Sequence, residues 1–360
     1  MNKNLLLLAF LPVFILITAC KKEVSTPDDN KEPLVYDPTP DSVDVPDWVS
    51  GSYLGYLYIP DDNPLTLEGV ELGRKLFYDK KLSGDNSKAC SSCHLQEYGF
   101  SDTARFSEGI SGEVGTRQAM AIVNLGWSDN FFWDARAVSV EDQAFGPVVN
   151  PIELNTTWPE VEAKLQADPN YPSLFYKAFG TKIIDSVLVT RAIAQFERTL
   201  VSFNSKFDKY FYQFEPVFDS SEIRGFNLFF GQAECIHCHS GPMLTDNTFR
   251  NNGLDNSFTD NGLGDITGTE TDNGKFKVTT LRNIANTAPY MHDGRFGTLE
   301  EVIAHYNSGV KANSPNLDPE LDHFVGGLGL TEQDIDDLAA FLRTFTDESF
   351  LTNPDFSEPE

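Results

Sequence analysis

Four of the five cysteines in this 360-residue chain fall into two copies of one short pattern. Cys90-Ser91-Ser92-Cys93-His94 is the first, and Cys235-Ile236-His237-Cys238-His239 is the second. C-x-x-C-H is the spacing at which two thiols add to the vinyl groups of a c-type haem while the adjacent histidine turns onto the iron. A thioredoxin-like redox pair and half of a zinc site use the same two cysteines and compete with that reading. Two copies, each completed by a histidine, favour two covalent haems. They are held by Cys90, Cys93, Cys235 and Cys238, with His94 and His239 as proximal ligands.

The surroundings repeat as well. Gly73-Arg74-Lys75-Leu76-Phe77 precedes the first copy and Gly225-Phe226-Asn227-Leu228-Phe229 the second, each a G-x-x-L-F stretch at helical spacing. A helix is therefore expected to lead into each haem loop. Val187, Leu188, Ile193, Phe196 and Leu200 make a further apolar stripe. Thr331 is placed to cap a helix carrying Ile335, Leu338, Leu342 and Phe345. Stretches rich in Gly, Asn and Asp, such as 251–274, read as long loops. The expected fold is mostly α: two cytochrome c-like haem domains with long connecting loops, over residues 51–205 and 206–348, with a tail at 349–360.

Met1–Lys3 is a short basic start, followed by an apolar run from Leu5 to Ile17 that is too short to span a membrane comfortably. Residues 1–19 read as a secretory signal. Ile17-Thr18-Ala19-Cys20 resembles a lipobox, so Cys20 is expected to be lipidated, with 20–50 as a flexible tether rich in Pro, Asp and Ser. Export agrees with haem attachment outside the cytoplasm, and the expected location is periplasmic, anchored to a membrane by lipid alone. The balance of 27 Lys and Arg against 54 Asp and Glu gives a net charge of −27. Nucleic acid is excluded as a main partner, because its recognition needs basic surface, whereas a basic protein partner is favoured.

Two haems suit either an electron carrier or an enzyme. A carrier fills both axial positions of each iron, whereas a peroxidase leaves one open beneath acid–base groups. The candidate sixth ligands outside the motifs are His292, His305, His323, Met120, Met243, Met291 and tyrosines. No histidine lies between the first motif and residue 236.

The segments Leu72–Phe77, both haem motifs, Phe132-Trp133-Asp134-Ala135-Arg136-Ala137, Gln143-Ala144-Phe145-Gly146-Pro147, Asn150-Pro151-Ile152-Glu153, Thr280-Leu281-Arg282-Asn283 and Thr287–Gly294 occur in one order along the chain. Over about Leu65 to Asp347 the chain thereby resembles the bacterial dihaem cytochrome c peroxidase family, which includes the methylamine-utilisation (MauG-like) oxidases. The resemblance implies an enzyme whose N-terminal haem meets peroxide, with Gln143, Pro147 and Glu153 in its distal pocket. It implies that Trp133 stands between the haems as an electron relay, and that the backbone carbonyls of Thr287 and Pro289 hold a calcium ion. The family's further calcium ligand is usually an Asn after an Arg. Gln118 follows Arg117 here, with Asn124 nearby.

Two departures from the family pattern change the expectations. Peroxidases of this type carry a distal histidine on the first haem at rest. The matching stretch, Ser107–Arg117, has none, so that iron is expected to be open without prior reduction. At the second haem a Met is usual a few residues after T-L-E-E. Here Thr298-Leu299-Glu300-Glu301 leads to Tyr306, as in the methylamine-utilisation oxidases, and a phenolate lowers the potential relative to a thioether. His305 is expected to point about 100° away on the same helix, and His323 to be structural. The function expected is reduction of hydrogen peroxide with electrons from a small cytochrome c or copper protein (cupredoxin), and a homodimer is allowed for. The alternative is a MauG-like oxidase that modifies a protein side chain. A plain dihaem electron carrier ranks third.

Overall fold

The computed structural model describes residues 36–360 except Ser52, Tyr53 and Gly55. The expected signal sequence, Cys20 and the first part of the tether lie outside the described residues. The helices in chain order are α1 (Asp47–Ser50), α2 (Leu67–Tyr78), α3 (Val140–Val149), α4 (Trp158–Ala167), α5 (Tyr171–Phe179) and α6 (Ser186–Thr199). They continue as α7 (Lys206–Phe211), α8 (Ser220–Phe230), α9 (Leu263–Thr267), α10 (Leu299–Ala304), α11 (Glu332–Arg343) and α12 (Glu348–Leu351). Two short strands, β1 (Phe249–Arg250) and β2 (Phe276–Lys277), pair antiparallel with Phe249 opposite Lys277. The fold is mostly helical, as the apolar spacing implies.

Each haem motif follows a helix that starts on a capping residue. The Thr66 hydroxyl accepts from the Gly69 N–H at the start of α2 (3.0 Å), and Asp219 accepts from the Ser221 and Glu222 N–H groups at the start of α8. Thr331 caps α11 as expected, its hydroxyl accepting from Asp334 N (3.2 Å) while the Asp334 carboxylate accepts from Thr331.

The two G-x-x-L-F glycines have the same job in each half. α2 crosses α6 at Gly73 and α8 crosses α11 at Gly225. A Cβ on Gly73 would overlap the Ala192 carbonyl, and one on Gly225 the Asp337 carbonyl. Only glycine lets each helix pair approach so closely. Around the first crossing Leu72, Leu76, Phe77, Ile193 and Phe196 form a buried core, and around the second Phe229, Leu338, Phe341 and Phe345 form another.

Residues 349–360 return to the first half. Phe350 and Leu351 join its core, Arg74 Nε donates to the Ser357 carbonyl (2.6 Å), and the Tyr78 hydroxyl donates to the Phe356 carbonyl (2.8 Å). The stretch 251–274 is looped as expected but carries α9 and a 3-10 turn at Glu270–Asp272. Just beyond it, Phe276–Lys277 pair with β1.

Candidate active site

Both C-x-x-C-H motifs open onto one cavity of about 1220 Å³. In each motif the histidine is oriented by a backbone carbonyl just beyond it. His94 Nδ1 donates to the Phe100 carbonyl (2.8 Å) and His239 Nδ1 to the Leu244 carbonyl (3.1 Å). A carbonyl only accepts, so the proton sits on Nδ1 and Nε2 is left as the free ligand nitrogen. Burial lowers both imidazole pKa values, which keeps them neutral as a metal ligand requires.

The cysteines discriminate between the competing readings. None of the four is in a disulfide. Burial pushes the Cys90 thiol up and the Cys235 thiol up to about 12, opposite to the lowered pKa of a reactive redox pair. No cluster of three or more His, Cys, Asp or Glu suited to a metal ion exists among the described residues. Neutral thiols beside an oriented neutral imidazole, on the wall of a large shared cavity, fit covalent haem. Glu197 on α6 lines the same cavity with an Oε2 that has no hydrogen-bond partner, and burial pushes its pKa up to about 8. Burial thus favours its neutral form, beside space that a flat apolar group would fill.

The structure brings the expected distal residues together. Gln143 and Pro147 lie on α3, and Glu153 follows on the turn that reverses the chain after it; all three line the cavity. That turn is held by Glu153 N donating to Asn150 O (3.0 Å) and by Ile110 N donating to Glu153 O (3.0 Å). The Glu153 carboxylate accepts from Asn150 Nδ2 (2.6 Å). Burial raises its pKa, against the opposing pull of Asn150 and the Arg136 charge. Asn150 was not singled out in the sequence, although its position three residues before a candidate acid is the available signal.

Trp133 is also in the cavity wall. Its indole N–H donates to the Gln118 carbonyl (2.8 Å), and Gln118 N donates to the His292 carbonyl (2.8 Å). The indole meets the His292 ring edge-on at 6.5 Å, and His292 stacks on Phe276 at 3.6 Å. Next to this group Arg117 pairs with Asp134 (2.5 Å) and Asp260 (2.7 Å). That bridge joins segments far apart in the chain and carries no local motif.

On the side of the second motif, Tyr306 lines the cavity and its hydroxyl accepts from Asn252 Nδ2 (3.3 Å). Burial pushes its pKa up to about 12. The same Asn252 amide donates to Met291 Sδ (3.4 Å), so two candidate ligands share one neighbour. His305 begins a π-helical turn, His305–Gly309, instead of continuing the α-helix assumed for the 100° estimate. It is buried, donates Nε2–H to the Asn252 carbonyl (3.0 Å) and stays outside the cavity lining. Met243 and Met120 line the cavity, whereas His323 pairs with Glu234 (2.8 Å) near the surface.

Thr287 and Pro289 line the cavity too. Among the described residues neither backbone carbonyl accepts a hydrogen bond. Asn124 is committed elsewhere, since Nδ2 donates to the Ser202 carbonyl (3.2 Å) and Oδ1 accepts from Ser202 N (2.8 Å). Gln118 uses its Nε2 on Ser101 Oγ (2.7 Å), which leaves Oε1.

Below the second motif lies a buried pair that the sequence did not single out. Both Arg282 terminal nitrogens donate to Asp208 (2.9 Å each) and Nε donates to the Pro242 carbonyl (2.7 Å), pinning the loop that follows His239.

Residues 67–215 match the family model for di-haem cytochrome c peroxidase. The chain is 38% identical over 292 residues to the methylamine utilization protein MauG of Methylorubrum extorquens, covering 80% of this chain and 81% of that one. It is 34% identical over 300 residues to the cytochrome c551 peroxidase of Nitrosomonas europaea, covering 82% and 84%. The crystal structure of a MauG-like protein associated with microbial copper homeostasis superposes with a TM-score of 0.80 at 37% identity, covering 88% of this chain and 98% of that one. With two oriented C-x-x-C-H motifs on one cavity and relatives of this identity along most of its length, the chain belongs to the di-haem cytochrome c peroxidase family, a haem oxidoreductase of the peroxidase type with two haems.

Proposed function

We propose that this chain reduces hydrogen peroxide to water with electrons from a small cytochrome c or copper protein. The balance is one peroxide, two electrons and two protons to two waters. Bound haem supplies the iron redox chemistry, at a first site held by Cys90, Cys93 and His94 and a second held by Cys235, Cys238 and His239. The observation that carries the reading is the Glu153 carboxylate in the cavity wall, held by Asn150 and raised in pKa by burial. A carboxylate so placed takes a proton from the near oxygen of peroxide and returns it to the leaving oxygen. Gln143 orients peroxide, and Pro147, which has no N–H to offer, shapes the wall. Trp133, fixed by the Gln118 carbonyl, is the electron relay across the cavity. Tyr306, in the cavity wall, would be the distal ligand at the second site. The carbonyls of Thr287 and Pro289, which accept no hydrogen bond among the described residues, and Gln118 Oε1 would be the oxygens to hold calcium, since carbonyl oxygens are the hard donors it takes. The protein works in the periplasm, tied to a membrane through lipidated Cys20, and its acidic surface selects a donor with a basic face.

A second reading, a MauG-like oxidase that modifies a protein side chain, is favoured by Tyr306 in the cavity wall. Steady-state peroxide consumption with a reduced cytochrome c as donor separates the two. Sustained turnover supports the peroxidase. Reaction with peroxide but no donor-dependent turnover would overturn it in favour of the oxidase.

A further inference from the structure

A second, smaller cavity of about 330 Å³ shares Phe132, Arg136, Pro147, Asn150 and Glu153 with the large one. It touches none of the four haem-attachment cysteines and neither proximal histidine. Its inner end is the distal acid. Its outer rim is formed by Arg136, Asp142 and Phe145, all exposed. The geometry points to this cavity as the route by which hydrogen peroxide reaches Glu153 from solvent. The inference deepens the peroxidase reading and rests on it.

Four features suit the cavity to that task. Haem attached at the two motifs would fill the large cavity, where all its attachment residues lie, and the small one holds no attachment point. Its volume of about 330 Å³ is ample for small polar molecules, since a water in the liquid takes about 30 Å³. Polar groups at its inner end, Asn150 and Glu153, can hydrogen-bond a neutral molecule that both donates and accepts. One wall is held in place: the Arg136 guanidinium lies 3.5 Å from the Phe132 ring centroid and donates to Asp134 (3.0 Å), which Arg117 also grips.

Gly146 shows that the space is not merely poor packing beside the site. Glycine inside a helix is destabilising relative to alanine, yet nothing crowds this position. A Cβ there would meet only Phe132 Cζ, at an ordinary 3.8 Å. The side chain is absent on the face of α3 that borders the cavity, so the room above it stays open. A Cβ at 146 would strike no backbone outside its own helix, and Gly146 lines the cavity.

A route differs from a binding site in its kinetic signature. Narrowing it slows arrival and departure equally and leaves the equilibrium unchanged. The test is stopped-flow cyanide binding to the ferric holoenzyme, alongside the second-order rate constant with peroxide. Gly146→Leu is expected to lower the cyanide association rate at least tenfold, the dissociation rate by the same factor and the peroxide rate constant in parallel. The dissociation constant and the resting absorption spectrum are expected to stay unchanged. Phe145→Ala, a truncation at the exposed rim, is expected to raise both cyanide rates at unchanged affinity. Unaltered association in Gly146→Leu would overturn the route, as would a weakened affinity with unchanged dissociation. If Gly146→Leu does not accumulate as holoprotein, unchanged rates in Phe145→Ala overturn it. An unaltered holoenzyme that bound no cyanide and consumed no peroxide would overturn the peroxidase reading itself, and the route with it.

Discussion

At the scale of single residues, the site is built from ordinary groups held by backbone. His94 and His239 point correctly because a carbonyl five or six residues on accepts the Nδ1–H hydrogen bond. Glu153 is held by Asn150 on a turn that reverses on α3. This makes a prediction about pH. The carboxylate form accepts the proton, so the peroxide rate constant falls as pH drops through the Glu153 pKa, which burial places above its ordinary 4.5. Glu153→Gln is expected to keep both haems, lose the acid limb and slow the peroxide reaction by about 10²–10⁴-fold. Stopped-flow rates across pH check this, and an unchanged rate constant would make Glu153 a loop acid. The C-x-x-C-H spacing was legible on its own, whereas Glu153 taken alone reads as a loop acid, and its proposed role comes from the resemblance of its segment. The supporting partners were not legible. Asn252, which serves both Tyr306 and Met291, and the Arg117 bridge to Asp134 and Asp260 depend on contacts between distant segments, and no local spacing encodes them.

At the scale of elements, the periodic helices and their caps followed from sequence because capping and amphipathic spacing are local. α2, α6, α8 and α11 all lie where the apolar pattern puts them. The π-helical turn at His305 breaks that regularity. It arises where the His305 imidazole reaches the Asn252 carbonyl, a contact from another loop that helical periodicity does not contain. Glycines at helix crossings and over open space make opposite predictions. Gly73→Ala forces a Cβ into the Ala192 carbonyl and is expected to destabilise the holoprotein by about 1–3 kcal/mol. Gly146→Ala meets only an ordinary contact and is expected to stabilise it by about 0.5–1 kcal/mol. Denaturant unfolding of both variants tests the pair, and equal signs would contradict the packing account.

At the scale of the whole molecule, the two helix crossings support one shared cavity, and residues 349–360 fold back to close the first core. That return was not legible, because a short C-terminal segment with a few aromatics reads as a tail until its partners Arg74, Tyr78 and Gln96 are known. The net charge of −27 acts at this scale too. Donor-dependent turnover with a basic cytochrome c is expected to slow steeply as salt rises, because steering between opposite charges is screened over about 10 Å at 0.1 M. A salt-independent second-order constant would remove the acidic face from the account.

The central proposal is that one iron would be open to peroxide and the other closed, since Ser107–Arg117 offers no histidine and Tyr306 stands in the cavity wall at the second motif. Electron paramagnetic resonance of the as-isolated ferric holoprotein tests it most directly. The account predicts one high-spin and one low-spin haem in equal amounts, with the low-spin signal altered in Tyr306→Phe. Two low-spin haems at rest, or a low-spin signal indifferent to Tyr306→Phe, would contradict it.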